Sequence, residues 1–122
     1  MPAYDLHYNP PAVIARITLR NASSGVSETG VAALVDSGAE ISVLPAAIVA
    51  KIWHSASRKY LVSGYDNRTS EIEAASAEIE FGGRSFSGQY LLVEQNIGII
   101  GRDILNLGIL VLDGPELQWD FR

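Results

Sequence analysis

The chain has 122 residues, 48% hydrophobic and 19% charged, a composition that favours a packed globular domain and argues against disorder. Domains of this length are common, so we expect a single domain over residues 1–122. A net charge of -5 argues against nucleic acid as a partner, because nucleic-acid binding requires a basic surface. The chain has no cysteine, which excludes disulfides, thiolate metal ligands and cysteine nucleophiles.

We expect no targeting signal in the N-terminal sequence. It lacks a basic stretch followed by a long apolar run, so we expect no secretory leader. The longest apolar stretches, such as ILVL, are too short to cross a bilayer, and no membrane partner is predicted. We therefore expect a cytoplasmic protein.

The first part of the chain predicts an arm and two strands. Residues 1–11 contain three prolines and are expected to form an extended N-terminal arm. Residues 12–20 (AVIARITLR) alternate between apolar and polar side chains, which is typical of a half-buried strand with Val13, Ala15, Ile17 and Leu19 inward. Turn residues follow at 21–25, and residues 26–36 (VSETGVAALVD) predict a second strand that ends in an apolar run.

The middle of the chain predicts a short strand, a helix and two hairpins. ISVL (41–44) indicates a strand, and Pro45 suits the first turn of a helix in PAAIVAKIW. Residues 58–72 predict a hairpin with a polar tip. Residues 71–81 (EIEAASAEIEF) alternate again, and the Gly-Gly-Arg at 82–84 turns the chain into the next strand.

The C-terminal part predicts small elements. IGIIG (97–101) indicates a short strand, and RDILNLG (102–108) one or two helical turns capped by Gly108. The remaining residues predict a hairpin around Asp113 and Gly114. The whole pattern predicts a mostly β domain with two short helices.

One carboxylate stands in an unusual setting. In ALVDSGAE (33–40) an apolar run leads directly into Asp36, and the small residues Ser37, Gly38 and Ala39 follow. Burying a charge is costly unless it is paired or hydrogen-bonded. This aspartate therefore either closes a local turn, which is the simpler interpretation of an isolated Asp-Ser-Gly, or serves in chemistry.

A second motif favours chemistry. IIGRDIL (99–105) has an apolar pair, a glycine, a charged pair and a short apolar segment. Together with VDSGAEISVLP (35–45) and the hairpin between them, it resembles the retropepsin-like aspartic proteases, the single-domain relatives of retroviral proteases. That family carries Asp-Thr/Ser-Gly-Ala after an apolar strand and, later, an apolar pair followed by Gly-Arg-Asp/Asn. The resemblance covers residues 12–121 and implies a mostly β, closed barrel-like acid-protease fold with short helices, one lobe per chain.

The resemblance implies an aspartic endopeptidase with Asp36 as its catalytic residue. This chemistry needs one carboxylate as general base for water and one carboxylic acid toward the carbonyl oxygen. Two adjacent carboxyl groups cannot both ionise, so the pair holds one proton. The chain has a single Asp-Ser-Gly, and Asp103 is better interpreted as a charge at a helix N-terminus. We therefore predict a homodimer that brings two Asp36 residues together and cleaves polypeptides without a metal or cofactor.

The resemblance also implies roles for other residues of the site. Ser37 and Gly38 would support the catalytic loop, Ala39 and Glu40 would contact substrate, and the hairpin tip would cover it as a flap through Ser63, Gly64 and Tyr65. Arg102 resembles the family's structural arginine, and we expect it to pair with Glu40. The chain departs from the commonest pattern in having Ser37 instead of threonine, Glu40 instead of aspartate, and few glycines at the tip.

The sequence leaves two alternatives to the protease. The same fold could serve as a catalytically inactive dimerisation or peptide-binding module, which would form the same dimer without cleaving peptides. A serine hydrolase using Ser37 is a poor alternative, because the chain lacks the G-x-S-x-G pattern of a nucleophile elbow.

Overall fold

A computed structural model describes residues 1–52, 57–63 and 69–122. The elements within these ranges, in chain order, are β1 (Ile14–Arg20), β2 (Ser27–Val35), β3 (Val43–Pro45), α1 (Ala46–Ile52), β4 (Ser57–Ser63), β5 (Thr69–Phe81), β6 (Arg84–Val93), β7 (Gly98–Ile100), α2 (Arg102–Leu105), β8 (Leu110–Asp113) and β9 (Gln118–Phe121). The predicted mostly β architecture with two short helices is confirmed. Neither helix of the described ranges is long and apolar enough to cross a membrane.

Six strands close into a barrel. The strand order is β1-β2-β7-β3-β6-β5, and β1 also pairs with β5, which closes the ring; β4 extends outward from β5. Strands β2 and β7 run parallel, as do β3 and β6, whereas the other described neighbours are antiparallel. At the closing seam the Arg20 guanidinium lies 2.9 Å from a carboxylate oxygen of Glu80 and 3.3 Å from one of Glu78.

The barrel interior is formed by the alternating apolar positions of the strands. The predicted inward face of β1 is buried, and β5 contributes Ala75, Ala77, Ile79 and Phe81 from the same side of its alternation. The Gly82-Gly83 turn between β5 and β6 has positive φ at both residues, which glycine adopts without strain. Pro45 is the last residue of β3 and directly precedes α1, so it does not lie in the first turn of the helix as we expected.

The predicted role of Gly108 as a helix cap is wrong. Helix α2 has one turn, and its C-cap is Asn106, with φ -72° and ψ -6°. A glycine is needed at 108 for a different reason, namely close packing against the C-terminal strand. A Cβ at this position would lie 2.6 Å from Phe121 Cζ, and 2.8 Å from both the Arg122 carbonyl oxygen and Arg84 Nη1.

This packing makes Gly108→Ala a sensitive probe of the fold. We expect the substitution to lower the free energy of unfolding by about 1–3 kcal/mol, because the added methyl group overpacks the contact with Phe121. Gly114→Ala is the matched control, since a Cβ there meets nothing within 4 Å. Urea unfolding of both variants measures the difference. Equal free energies of unfolding would contradict the packing explanation.

The N-terminal arm lies along β9 of its own chain. Ala3 forms a bridge with Gln118, the Tyr4 N–H donates to the Leu117 carbonyl at 2.8 Å, and the Trp119 N–H donates to the Pro2 carbonyl at 2.9 Å. Strand β9 therefore has β8 on one side and the arm on the other. Its side chains Trp119 and Phe121 are buried, with ring centroids 5.9 and 4.7 Å from that of Phe81. The C-terminal strand is thus part of the core.

Candidate active site

Asp36 lies directly beyond the end of β2. Residues 33–35 pair in parallel with residues 98–100 of β7, and the Asp36 N–H continues this ladder by donating to the Ile100 carbonyl at 3.0 Å. The apolar run before Asp36 is therefore held within the barrel wall by its burial and pairing. As a result, the half-buried Asp36 carboxylate is held at the rim of the barrel by the rigid end of a strand.

The loop after Asp36 is a tight turn that orients the carboxylate. The Gly38 N–H donates to Asp36 Oδ1 at 2.8 Å, and the Ala39 N–H donates to the Asp36 carbonyl at 3.2 Å. The local turn that we weighed against chemistry is therefore present, and it leaves Oδ2 without a hydrogen bond among the residues that the structure describes. The two residues that follow, Ser37 and Gly38, are small and exposed.

The second motif lies against this turn. The Arg102 N–H donates to the Ala39 carbonyl at 2.8 Å, and a Cβ on Gly101 would lie 2.9 Å from both the Ala39 carbonyl oxygen and the carbonyl carbon of Ile41. Glycine at 101 therefore permits the close approach of two backbone segments. The two sequence motifs form one structural unit around Asp36.

The expected ion pair between Arg102 and Glu40 is wrong. Both residues are described, and they form no ion pair with each other; Arg102 Nη1 instead donates to the Ser37 carbonyl at 2.9 Å. The side chain of Glu40 is exposed to solvent, whereas the Ser37 carbonyl lies within reach of the start of α2. The Arg102 side chain therefore holds the Asp36 turn by bonding to the backbone of that turn.

Ser42 and the main role of Asp103 were not predicted from the sequence. Ser42 is 0% exposed. Its hydroxyl donates to Asp103 Oδ1 at 2.6 Å and accepts the Gly101 N–H at 2.9 Å. Asp103 does lie in the first turn of α2, as expected, but its carboxylate is directed to Ser42. The available signal was a single polar residue within the apolar segment ISVL.

The charge of Asp103 also acts on a neighbouring strand. Burial raises the pKa of the Tyr90 hydroxyl to about 12, and the Asp103 carboxylate adds to the increase. The Tyr90 hydroxyl donates to the Phe86 carbonyl at 3.1 Å. Tyr90 is therefore a neutral hydrogen-bond donor in the core, and we assign it no role in catalysis.

The predicted substrate-contacting residues are only partly covered by the structure. Ala39 and Glu40 follow the Asp36 turn. The predicted hairpin is confirmed, because β4 and β5 pair antiparallel from Ser57 with Ala75 to Ser63 with Thr69. Gly64 and Tyr65 lie outside the described residues, and for Ser63 only the backbone of β4 is described. The described ranges contain no group of three or more Asp, Glu, His or Cys side chains that could hold a metal ion.

Comparison with known proteins identifies the class to which this geometry belongs. A family model described as retroviral aspartyl protease matches residues 8–110. The chain therefore belongs to the retroviral aspartyl protease family, which confirms the resemblance seen in the sequence.

Solved structures agree in fold. In a comparison with solved structures, 218 chains match the structure of this protein. One is EIAV protease complexed with the inhibitor HBY-793, with a TM-score of 0.58 and 24% sequence identity, covering 86% of this chain and 92% of that chain. A search among functionally curated proteins gave no match.

Proposed function

We propose that the chain is an aspartic endopeptidase that acts as a homodimer and hydrolyses peptide bonds between two Asp36 carboxylates. Membership in the retroviral aspartyl protease family supports the aspartic protease chemistry. The observation that carries the proposal is the position of Asp36, which lies at the barrel rim in the single Asp-Ser-Gly motif of the chain. One oxygen of its carboxylate, Oδ2, forms no hydrogen bond with the described residues.

The proposed mechanism divides two roles between two identical residues. The ionised Asp36 removes a proton from a water molecule, which attacks the carbonyl carbon of the peptide bond. The protonated Asp36 of the partner donates to the carbonyl oxygen, giving a tetrahedral intermediate. The first Asp36 then donates the proton it took from water to the leaving nitrogen, and the C–N bond breaks while the partner's Asp36 takes back the hydroxyl proton. The Gly38 N–H on Oδ1 fixes the orientation of each carboxylate. The exposed Ser37 and Gly38 provide space for the partner's identical turn.

A dimer is also consistent with the exposed apolar side chains. Leu6 in the arm is 70% exposed, and Ile109 and Leu112 at β8 are 65% and 57% exposed. Burial of these side chains on association would remove their apolar surface from water, which favours a dimer. Both edges of β9 are occupied within the chain, so the proposed partner would contact the arm and β8, which flank β9.

The proposed substrate is an extended polypeptide. It would lie across the two Asp36 turns, beside Ala39 and Glu40 of each chain, with the β4–β5 hairpin above it. Backbone pairing to strand edges is one recurring way in which proteins bind extended peptides. The exposed carboxylate of Glu40 is not engaged by Arg102 and is open to contact with substrate.

The direct experiment is incubation of the purified protein with a diverse peptide mixture over a range of pH, with cleavage detected by mass spectrometry. We expect cleavage with a maximum on the acid side of neutral, because two carboxyl groups that share one proton give a bell-shaped profile. A dimer that cleaves nothing at any pH would indicate the inactive binding module instead. A rate that keeps rising at alkaline pH would indicate a different nucleophile.

A further inference from the structure

A buried hydroxyl joins the two segments that form the base of the candidate site. Segment 36–42 contains Asp36, and segment 100–104 leads into α2. Ser42 is 0% exposed, and its hydroxyl forms two hydrogen bonds to segment 100–104. It accepts the N–H of the buried Gly101 at 2.9 Å and donates to Asp103 Oδ1 at 2.6 Å.

The Asp103 carboxylate accepts four hydrogen bonds from three groups, the Ser42 hydroxyl and the N–H groups of Ser42 and Ile104. Oδ1 accepts the Ser42 hydroxyl at 2.6 Å and the N–H groups of Ser42 and Ile104 at 3.0 Å, and Oδ2 accepts the Ser42 N–H at 3.0 Å. Hydrogen bonds to an ionised carboxylate are shorter and stronger than neutral ones, and the distance to the hydroxyl is in this short range. Without the hydroxyl, the buried Gly101 N–H would lose its partner, and an unsatisfied buried donor is costly.

Gly101 lies between the two residues that hold the catalytic turn. On one side, the Ile100 carbonyl accepts the Asp36 N–H at 3.0 Å. On the other, Arg102 donates from its backbone to the Ala39 carbonyl at 2.8 Å and from its guanidinium to the Ser37 carbonyl at 2.9 Å. A displacement of Gly101 would therefore move contacts at both ends of the Asp36 turn.

We propose that Ser42 and Asp103 are positioning residues that hold Asp36 at the distance and angle needed to meet the partner's Asp36. Neither side chain is hydrogen-bonded to Asp36 in the part of the chain that the structure describes; both act through Gly101 and its neighbours. The inference rests on the proposed function, because the position of Asp36 limits the rate only where two carboxylates must share one water molecule. A small misplacement of reacting groups is enough to lower a rate strongly.

The kinetic test compares Ser42→Ala with wild-type protein on a peptide that the wild type cleaves. We expect kcat to fall roughly ten- to hundredfold with KM little changed, because the lost contact orients the reacting carboxylate and does not bind substrate. Ser42→Thr keeps the hydroxyl and should recover most of kcat. Ser87→Ala is the matched control, because Ser87 is exposed on β6 and its hydroxyl forms no hydrogen bond with the described residues. The kcat of this variant should equal that of wild type.

A second pair of variants covers the case in which Ser42→Ala or Ser42→Thr does not fold. Asp103→Asn keeps an acceptor oxygen for the Ser42 hydroxyl, whereas Asp103→Ala removes it. We expect Asp103→Ala to have the lower kcat of the two at the same KM. Equal kcat values for these two folded variants, both equal to wild type, would overturn the proposal.

Hydrogen exchange separates failure of this inference from failure of the proposed function. The amides of Asp36 and Arg102 should exchange faster in Ser42→Ala than in wild type or Ser87→Ala, since both are hydrogen-bonded between segment 100–104 and the Asp36 turn. If the wild type cleaves peptides, unchanged kcat and unchanged exchange in Ser42→Ala overturn the positioning role. If the wild type cleaves nothing, the protease proposal fails, and unchanged exchange alone then overturns the positioning role.

Discussion

Asp36→Asn is expected to abolish peptide cleavage while leaving the fold and the dimer intact. Asparagine has nearly the same shape, and its carbonyl oxygen can still accept the Gly38 N–H that orients the side chain. It has neither the charge to remove a proton from water nor a carboxylic proton to donate. Loss of acid–base catalysis costs about 10²–10⁴-fold in rate, and here both roles are lost together. Cleavage rates and circular dichroism of the two proteins measure the effect.

The chain offers a matched control for this substitution. Asp113 Oδ1 accepts the Glu116 N–H at 3.2 Å in the β8–β9 turn, so it is also a turn aspartate that accepts a backbone N–H. Asp113→Asn should leave the cleavage rate unchanged. Turnover by Asp36→Asn close to the wild-type rate, with contaminating protease excluded, would end the assignment of Asp36 as the catalytic residue.

Specific activity is expected to fall when the protein is diluted. Each chain supplies one Asp36, so a monomer has only half of the proposed site. The loss of activity per chain should follow the dissociation of the dimer measured by sedimentation over the same concentrations. A monomer that retains full specific activity at every dilution would contradict the shared site.

The arm provides a variant for the same experiment. Deleting residues 1–9 should make the dimer dissociate, and specific activity fall, at higher protein concentrations than in the full chain. The deletion removes the exposed Leu6 and the arm that covers β9. Leu6→Lys is a milder version, with Val26→Lys in the β1–β2 turn as control, since Val26 is also exposed, at 49%. Deleting residues 117–122 is less informative, because Trp119 and Phe121 are 5% and 3% exposed, and losing one such aromatic group costs about 3–5 kcal/mol.

Alternation of side chains predicted most of the strands, because the inward faces of β1 and β5 must be apolar in a closed barrel. The closure itself was predicted only through the family resemblance. The periodicity of β1 does not reveal that this strand pairs with β5 as well as with β2, because pairing partners far apart in the chain leave no local pattern.

The site was predictable where its residues form a contiguous motif and less so where contacts cross between motifs. Opposite charges suggested Arg102 with Glu40, but a backbone carbonyl was the nearer acceptor, and sequence does not show backbone positions. A single polar residue in ISVL singles out Ser42, but the sequence does not show which buried groups its hydroxyl meets. Gly108 was misassigned because a glycine after a helix is explained equally well by a cap and by close packing.

The most direct test of the shared site is a subunit-mixing experiment. Wild-type protein is mixed with increasing amounts of Asp36→Asn under conditions in which subunits exchange, and heterodimers are verified by native mass spectrometry. If an active site needs two Asp36 residues, only wild-type pairs cleave, so activity per wild-type chain should fall in proportion to the wild-type fraction. Ser87→Ala is itself expected to be fully active, so mixing with it should leave the activity per total chain unchanged. Activity per wild-type chain that stays constant in the presence of verified heterodimers with Asp36→Asn would contradict a site built from two Asp36 carboxylates.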